Sequence, residues 1–523
     1  MRRPAPGGRH RPAGPALDAR RGPAALAGLL AAAVALGTAE LAAGLVGPPS
    51  SPVVAVGDVV IARAPGPVTR WAIATFGGAD KTVLVGGTVL LVAGCAAGLG
   101  VLALRHPRAG AAGVVLLGGL GAVAALTGPA GSPLDVLPSL VGAGAGVLAL
   151  RLLADPLTAP PAAQGRAGAG LDRRRFLLTA GAALVAGGSG RFLQQRLDVA
   201  GDRSGLTLPA PASPAPPRPP GADLARRVDG LTPLVTGNRD FYRIDTALTV
   251  PQIRPAEYRL AVTGMVAAPR THTLRDLLDR DDLIERDATL TCVSNEVGGR
   301  LAGTARWLGV PLGAFLREHG VSTAADQLVC RSGDGMTIGA PTRAALDVGD
   351  AMLALGMNGE PLPVEHGFPV RMVIPGLYGY VSACKWLVGI EAATFAAFDA
   401  FWVQRGWAAA GPIRISSRID TPAAGDRFPA GRRAIAGVAW AQTRGIAAVE
   451  VRVDDGGWLP ADLSPEVDAD VWRQWVLPHD FAPGVHRLAV RATGADGEVQ
   501  TDVVTEPFPA GATGLHAIDV TAT

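Results

Sequence analysis

The sequence predicts a chain of three parts: an α-helical membrane region, a mixed α+β domain and an all-β sandwich. Three observations carry this prediction. Apolar residues concentrate in the first 200 positions, short β-like runs alternate with helical ones from Leu224 onward, and after Gly411 only strand-like runs remain.

Composition sets the frame. A chain of 523 residues has room for roughly three domains at about 150 residues each. Only 18% of the residues are charged, 69 are glycine and the mean hydropathy is +0.27, which leans toward a membrane protein. The net charge is only +3 and the arginine clusters flank apolar spans instead of forming a basic face, so nucleic acid is excluded as an expected partner.

The first apolar run, residues 24–46, follows Arg2, Arg3, Arg9, Arg11, Arg20 and Arg21. It is long enough to cross a hydrocarbon core of ~30 Å as a helix that starts in the cytoplasm. Further spans are predicted at 83–104, 111–126 and 137–153. The segment 53–76 is interrupted by Pro65 and Pro67 and carries Asp58, Arg63 and Arg70. It reads as an outer loop or interfacial segment, because irregular backbone exposed to lipid leaves polar groups unsatisfied.

A fifth apolar run, 176–185 with a small-residue extension, follows Asp172, Arg173, Arg174 and Arg175. The arginines read either as a positive-inside anchor or as a twin-arginine export signal placed within the chain. With five alternating spans, the Arg-rich start, the loop of Arg105 and Arg108 and the segment 151–175 share one side. The expectation is a multi-pass protein of a bacterial cytoplasmic membrane, in contact with lipid, whose soluble part is extracytoplasmic. Residues 1–200 then form the membrane region, 201–223 a Pro-rich extended linker, 224–410 the α+β domain and 411–523 the β domain.

In the α+β domain, residues 274–283 and 311–319 carry helical patterns. Beyond Gly411, strands are predicted at 433–439, 447–453, 471–476 and 486–493, separated by turns such as Asp454-Asp455-Gly456-Gly457. That spacing without helices points to an immunoglobulin-like sandwich, with Trp458, Trp472 and Trp475 in its core.

Cys95, Cys292, Cys330 and Cys384 include no CxxC pair, so neither an iron–sulfur cluster nor a zinc knuckle is indicated. Cys95 falls in an apolar span and reads as packing; a disulfide among the other three stays open. The stretch 287–291 reads as a buried strand that delivers Cys292 to a polar, Gly-rich loop with Asn295 in it. A cysteine there is either core or a rigidly supported ligand. Asn238-Arg-Asp-Phe-Tyr242-Arg243-Ile-Asp245-Thr246 precedes it. Asn358–Pro363 and His366-Gly-Phe-Pro-Val-Arg371 follow, then Tyr378-Gly-Tyr380-Val-Ser382-Ala-Cys-Lys385-Trp386. Alone, Arg371 and Lys385 are ordinary cations and His366 a turn residue.

Taken together and in this order, these stretches resemble the sulfite oxidase family of molybdenum enzymes, over about 300 residues from Leu224 to the C-terminus. The resemblance implies a molybdopterin-binding domain whose metal takes one protein thiolate, matched by Cys292, a soft donor suited to a redox metal. Tyr242, Arg243, Asp245, Thr246, Asn295, His366, Arg371, Ser382 and Lys385 match positions around the pterin and its phosphate, with Arg243 also placed in the catalytic group. The match does not extend to the substrate pocket. Animal and plant members follow Asn295's counterpart with two arginines, whereas here Glu296 and Val297 stand there, and the family's active-site tyrosine is replaced around Gly335-Met336-Thr337 unless Tyr378 or Tyr380 takes its place.

The implied activity is two-electron oxygen-atom transfer to or from a small oxo acceptor or donor. The alternatives are an extracytoplasmic S-oxide or methionine sulfoxide reductase and, of another class, a cofactor-free scaffold or adhesion module. None of the eight histidines lies in the five spans, so no haem is expected and electrons are expected to pass through a separate protein or a quinone. The C-terminal part resembles the family's dimerisation domain, which implies a homodimer.

Overall fold

The computed structural model describes residues 15–47, 50–76, 79–129, 131–158, 178–181, 185–189 and 199–523. Its two compact units are Met1–Asp198 with Ala247–Thr249, and Val199–Thr246 with Val250–Thr523.

The first unit is helical: α1 Pro15–Val46, α2 Pro52–Arg63, α3 Gly66–Phe76, α4 Asp80–Ala103, α5 Pro107–Thr127 and α6 Val136–Thr158. Four stretches among the described residues are long and apolar enough to cross a membrane: Arg20–Val46, Asp80–Ala103, Pro107–Thr127 and Pro133–Asp155. These correspond to the first four predicted spans. The fifth is described only at residues 178–181 and 185–189, which are helical, and Arg173 and Arg174 of the twin-arginine reading lie outside the described residues.

The segment 53–76, read from its prolines as irregular, is instead two helices. Pro52 sits at the start of α2, where a missing N–H costs nothing, and Pro65 falls between α2 and α3. α1 and α4 approach until backbone meets backbone: a β-carbon on Gly28 would collide with the Ala96 carbonyl, and one on Gly100 with that of Ala24. Small residues permit the close contact that helices in lipid need in place of a hydrophobic drive.

The second unit contains four sheets. A mixed sheet runs Arg270–Thr273, Arg259–Gly264, Leu387–Ala393, Gln327–Ser332, Thr337–Pro341, with only Arg259–Gly264 and Leu387–Ala393 parallel. An antiparallel sheet runs Ile284–Thr291, Ala302–Pro311, Met352–Met357, Glu360–Pro361, with Arg371–Val373 also paired to Met352–Met357. Short helices Leu274–Leu278 and Leu312–Glu318 lie where helical patterns were predicted. Their buried leucines join Tyr258, Phe315 and Ile390 in one core.

Residues 416–522 form two further sheets. Predicted strands appear as Gly431–Trp440, Ile446–Val453, Arg473–Phe481 and Gly484–Gly494. Ile435 and Trp475 of one sheet share a core with Val451, Leu488 and Ile518 of the other. Trp472 and Trp475 are buried as expected. Trp458 is half-buried instead, with the Arg452 and Arg491 guanidinium carbons 4.9 and 4.4 Å from its ring centroid, because its strand lies at a sheet edge.

The Pro-rich stretch is extended, as composition predicts, and it is docked. Ser213 bridges Ile284 in parallel, and Arg218 forms a two-pronged ion pair with Asp287, whose carboxylate also takes Arg306. Thus the first half of the strand that leads to Cys292 is braced at Ile284 and Asp287.

A candidate cofactor and substrate site after strand Ile284–Thr291

Cys292 directly follows strand Ile284–Thr291, whose last five residues are all buried. Its amide donates to the Leu301 carbonyl at 2.9 Å, closing the loop that begins there. The Asn295 amide donates to the Cys292 carbonyl, and Asn295 Oδ1 accepts from the Leu301 amide at 2.7 Å. Asn295 therefore clamps both ends of the loop. Burial pushes the Cys292 thiol above its ordinary pKa, and hydrogen bonds from the Ser294 backbone and side chain partly offset this. Ser294 was passed over in the sequence; its signal was its place two residues after the cysteine.

A second group of side chains gathers around the same point. The Tyr242 ring stacks on Phe241, and burial, then the Cys292 charge, holds its hydroxyl protonated well above the usual range, while Arg371 acts the other way. Its hydroxyl thus feels both Cys292 and Arg371. Arg371 lies on strand Arg371–Val373, fully within the protein, 5.1 Å from the Trp307 ring centroid. One guanidinium nitrogen donates to the His366 carbonyl at 3.1 Å; Nε has no partner, and no carboxylate pairs with it among the described residues. Burial lowers its pKa to about 10. A buried guanidinium without a counter-ion is costly, so this position is set up to receive an anion.

His366 Nε2 lies 2.8 Å from the Asn238 carbonyl, which fixes Nε2 as the protonated nitrogen. Burial, then Arg371, lowers its pKa to about 4, so at neutral pH the ring is uncharged with Nδ1 as an acceptor. Lys385 Nζ is 2.9 Å from Asp245 Oδ2 and 4.5 Å from the Trp386 ring centroid. Burial lowers its pKa to about 8 despite the Asp245 carboxylate. Arg243 is more exposed and pairs with the same Asp245 oxygen at 2.8 Å. Thr246 donates to Asp334 at 3.3 Å.

Ser382 is different. Its hydroxyl contacts the Leu377 and Tyr378 carbonyls at the end of helix Gly379–Ser382, so its proton serves the local backbone and only acceptor capacity remains. Of the two tyrosines, Tyr378 is the one beside the cysteine: Cys292 contributes to its raised pKa after burial, while Tyr380 bonds the Ala408 carbonyl and packs near Trp407. The four cysteines are free thiols; Cys95 is exposed in its helix and not packed inside it.

A narrow cleft adjoins the cysteine loop, with a cavity volume of only about 10 Å³ and partly open to solvent. Thr291, Asn295 and Glu296 line it from the strand end and loop, Tyr378 from one side, and Ser417 and Trp440 from the C-terminal sheet. The lining of this cleft is thus shared between residues 291–378 and residues 416–512.

Residues 247–402 match the family described as oxidoreductase molybdopterin binding domain. Human mitochondrial sulfite oxidase is 30% identical over 305 residues, 49% of this chain and 56% of that one. The sulfite oxidase of Gallus gallus is 28% identical over 336 residues, 55% and 71% respectively. The inducible nitrate reductase [NADH] 2 of Glycine max is 33% identical over 171 residues, 28% and 19%. The second unit is therefore built on a molybdopterin-binding oxidoreductase domain. Residues 247–402 form a molybdopterin-binding domain similar to that of the sulfite oxidases, and the cofactor it implies is molybdenum bound to molybdopterin. The chain spans 56% of the length of the human relative.

Proposed function

We propose that this chain is a membrane-anchored molybdenum enzyme of oxygen-atom transfer, sulfite oxidase-like in its chemistry. The observation that carries the reading is the Tyr242 hydroxyl, placed within electrostatic reach of both a buried thiol, Cys292, and a buried guanidinium, Arg371, that lacks a counter-ion. A soft donor beside an anion seat suits a metal held through a phosphorylated pterin.

In this reading Cys292 is the protein's single metal ligand, and Ser294 and Asn295 fix its loop. Arg371 would neutralise phosphate charge, Lys385 would add a point charge held in place by Asp245, and His366 would offer an acceptor at Nδ1. Tyr242, Arg243 and Thr246 would complete the rim of the pterin seat, with Arg243, the more exposed cation, nearest to incoming substrate. When bound, the cofactor supplies a two-electron redox centre that accepts or donates an oxygen atom. Overall, X takes oxygen from water to give XO, and two protons and two electrons leave. The electrons pass to a quinone or a separate protein.

Four apolar stretches of spanning length support membrane attachment. A cytoplasmic-membrane location with the catalytic part outside, export as a folded cofactor-loaded unit through Arg173 and Arg174, an immunoglobulin-like C-terminal part and a homodimer through it complete the proposal. The test is the molybdenum and pterin content of the full chain purified in detergent from a cofactor-producing host, beside Cys292→Ser. Near-stoichiometric metal in the wild type and its loss in the variant support the reading; a folded wild type without metal overturns it and leaves a scaffold or adhesion role.

A further inference from the structure

The loop from Cys292 to Leu301 is closed at its base by its own hydrogen bonds, but its tip is held from the two C-terminal sheets. The tip is a tight turn in which the Gly299 amide donates to the Glu296 carbonyl at 2.8 Å. Gly298 has φ +76° there, a conformation that favours glycine. A β-carbon on Gly298 would collide with Cδ2 and Nε2 of the His516 ring, so that ring lies against the bare backbone of the turn. The ring is fixed in its turn, because Nδ1 accepts the Ile419 amide at 3.0 Å.

Arg418 reaches the same turn from strand Ser416–Thr421, in the other C-terminal sheet from the strand His516–Ala522. Its Nη1 donates to the Gly299 carbonyl at 2.8 Å, Nη2 to the Thr232 hydroxyl at 3.0 Å and Nε to Asp420 at 2.6 Å. The Arg418 and Asp420 side chains are only 5% and 7% exposed. A buried ion pair carries a desolvation cost that apolar residues of similar volume would avoid, so bulk stability does not account for it. What an apolar pair could not supply is a directed donor for the Gly299 carbonyl. From the turn to the cysteine the links are short. A β-carbon on Gly299 would collide with Asn295 Oδ1, the Asn295 amide donates to the Cys292 carbonyl at 3.1 Å, and the Cys292 amide donates to the Leu301 carbonyl at 2.9 Å. Each link is main chain or the buried Asn295 side chain, so a shift of the turn is passed on to Cys292 instead of being absorbed by rotation of a flexible side chain.

We propose that Arg418 and His516 are positioning residues for the metal ligand: from the two C-terminal sheets they set the Glu296–Gly299 turn and, through Asn295, the orientation in which the Cys292 thiol is presented. The inference rests on the reading of Cys292 as the metal ligand given above. It gives the C-terminal β part a role at the redox centre, exerted through the cysteine loop and without contact with the metal.

The test uses the full chain in detergent from a cofactor-producing host, with two readouts: molybdenum retained under chelator challenge, and the thiolate-to-molybdenum absorption band per bound metal. Gly298→Ala should lower retention by roughly tenfold and shift the band of the metal that remains. Gly425→Ala is the control, since Gly425 has φ +81° and a β-carbon there meets nothing within 4 Å; it brings the same backbone strain and should leave both readouts unchanged. Adding His516→Ala to Gly298→Ala removes the collision and should recover most of the retention and the band. Arg418→Lys keeps a cation beside Asp420 but loses the fork that reaches the Gly299 carbonyl, so it should shift the band with the fold kept, and it decides the question where Gly298→Ala does not fold. Lowered thermal midpoints with an unchanged band per bound molybdenum, or a double variant no better than Gly298→Ala, overturn the inference while the metal-ligand reading stands. Wild-type protein without molybdenum, or with a band that survives Cys292→Ser, overturns the metal-ligand reading itself.

Discussion

Lys385 Nζ lies 2.9 Å from Asp245 Oδ2, and the carboxylate side chain is only 3% exposed. The pair sits on segments 140 positions apart, so it exists only in the folded chain. Replacing Asp245 by Asn leaves a buried ammonium without its partner, a change that costs about 3–5 kcal/mol. The expected outcome is a lowered thermal midpoint of the full chain, with pterin retention falling further in Lys385→Met than stability does. Equal effects of both variants on stability, with pterin unchanged, would show that the pair is only structural.

Asp287 gathers Arg218 and Arg306, each by two hydrogen bonds. Although burial raises its pKa, the two guanidinium groups outweigh this and leave it below the usual carboxylate range. A depressed carboxyl pKa stabilises the fold above its unfolded value near 3.8, and the contribution is lost as pH falls through the folded value. Asp287→Asn should therefore lower the neutral-pH thermal midpoint and flatten its fall under acid. Arg218→Ala should release the Pro-rich stretch, read as new proteolytic cleavage within residues 205–223.

Asp470 titrates in the opposite sense. Burial, then the charges of Asp468 and Asp350, raises it from 3.8 to about 7. The folded state therefore holds a proton that the unfolded state has released, so this group's stability is full below about pH 4 and is lost as pH rises through 7. The two values correspond to about 4 kcal/mol at most. Asp470→Asn keeps an acceptor for the Thr443 amide and should remove this slope. A stability profile between pH 4 and 8 that is the same in both proteins would contradict the assignment.

Ser294 is expected to act on the metal seat without touching the metal. Partners of a ligand typically change metal affinity by about 10–100-fold. Ser294→Ala should lower molybdenum retained under chelator challenge, and Ser294→Thr, which keeps the hydroxyl, should recover most of it.

Gly28 and Gly100 provide a check on the helical unit. Adding one methyl at either forces α1 and α4 apart, at a cost of about 1–3 kcal/mol. Gly28→Ala and Gly100→Ala should each lower the thermal midpoint in detergent. The control is Gly94→Ala, since a β-carbon on Gly94 meets nothing within 4 Å.

Local chemistry in the sequence was enough to place the four long apolar stretches, the helices at 274 and 312, four C-terminal strands and the order of cysteine, histidine and lysine motifs. These features follow from hydrophobic length, side-chain periodicity and residue type, all of which act over a few turns or one strand. Where the same local rules were applied to prolines at 65 and 67, they misread two short helices as a loop, because proline is neutral at a helix start and disruptive only inside one.

What only the tertiary structure decided lies in long-range contacts. It brought Tyr378 and not Tyr380 beside Cys292, engaged the Ser382 hydroxyl on backbone carbonyls, docked Arg218 on Asp287, and set Trp440 from the far β part into the cleft next to Glu296. Charge balance, burial and hydrogen-bond pairing depend on which distant segments meet. No window of the sequence carries that information, so the residues of the site could be nominated from the chain, but their partners and protonation had to come from the fold.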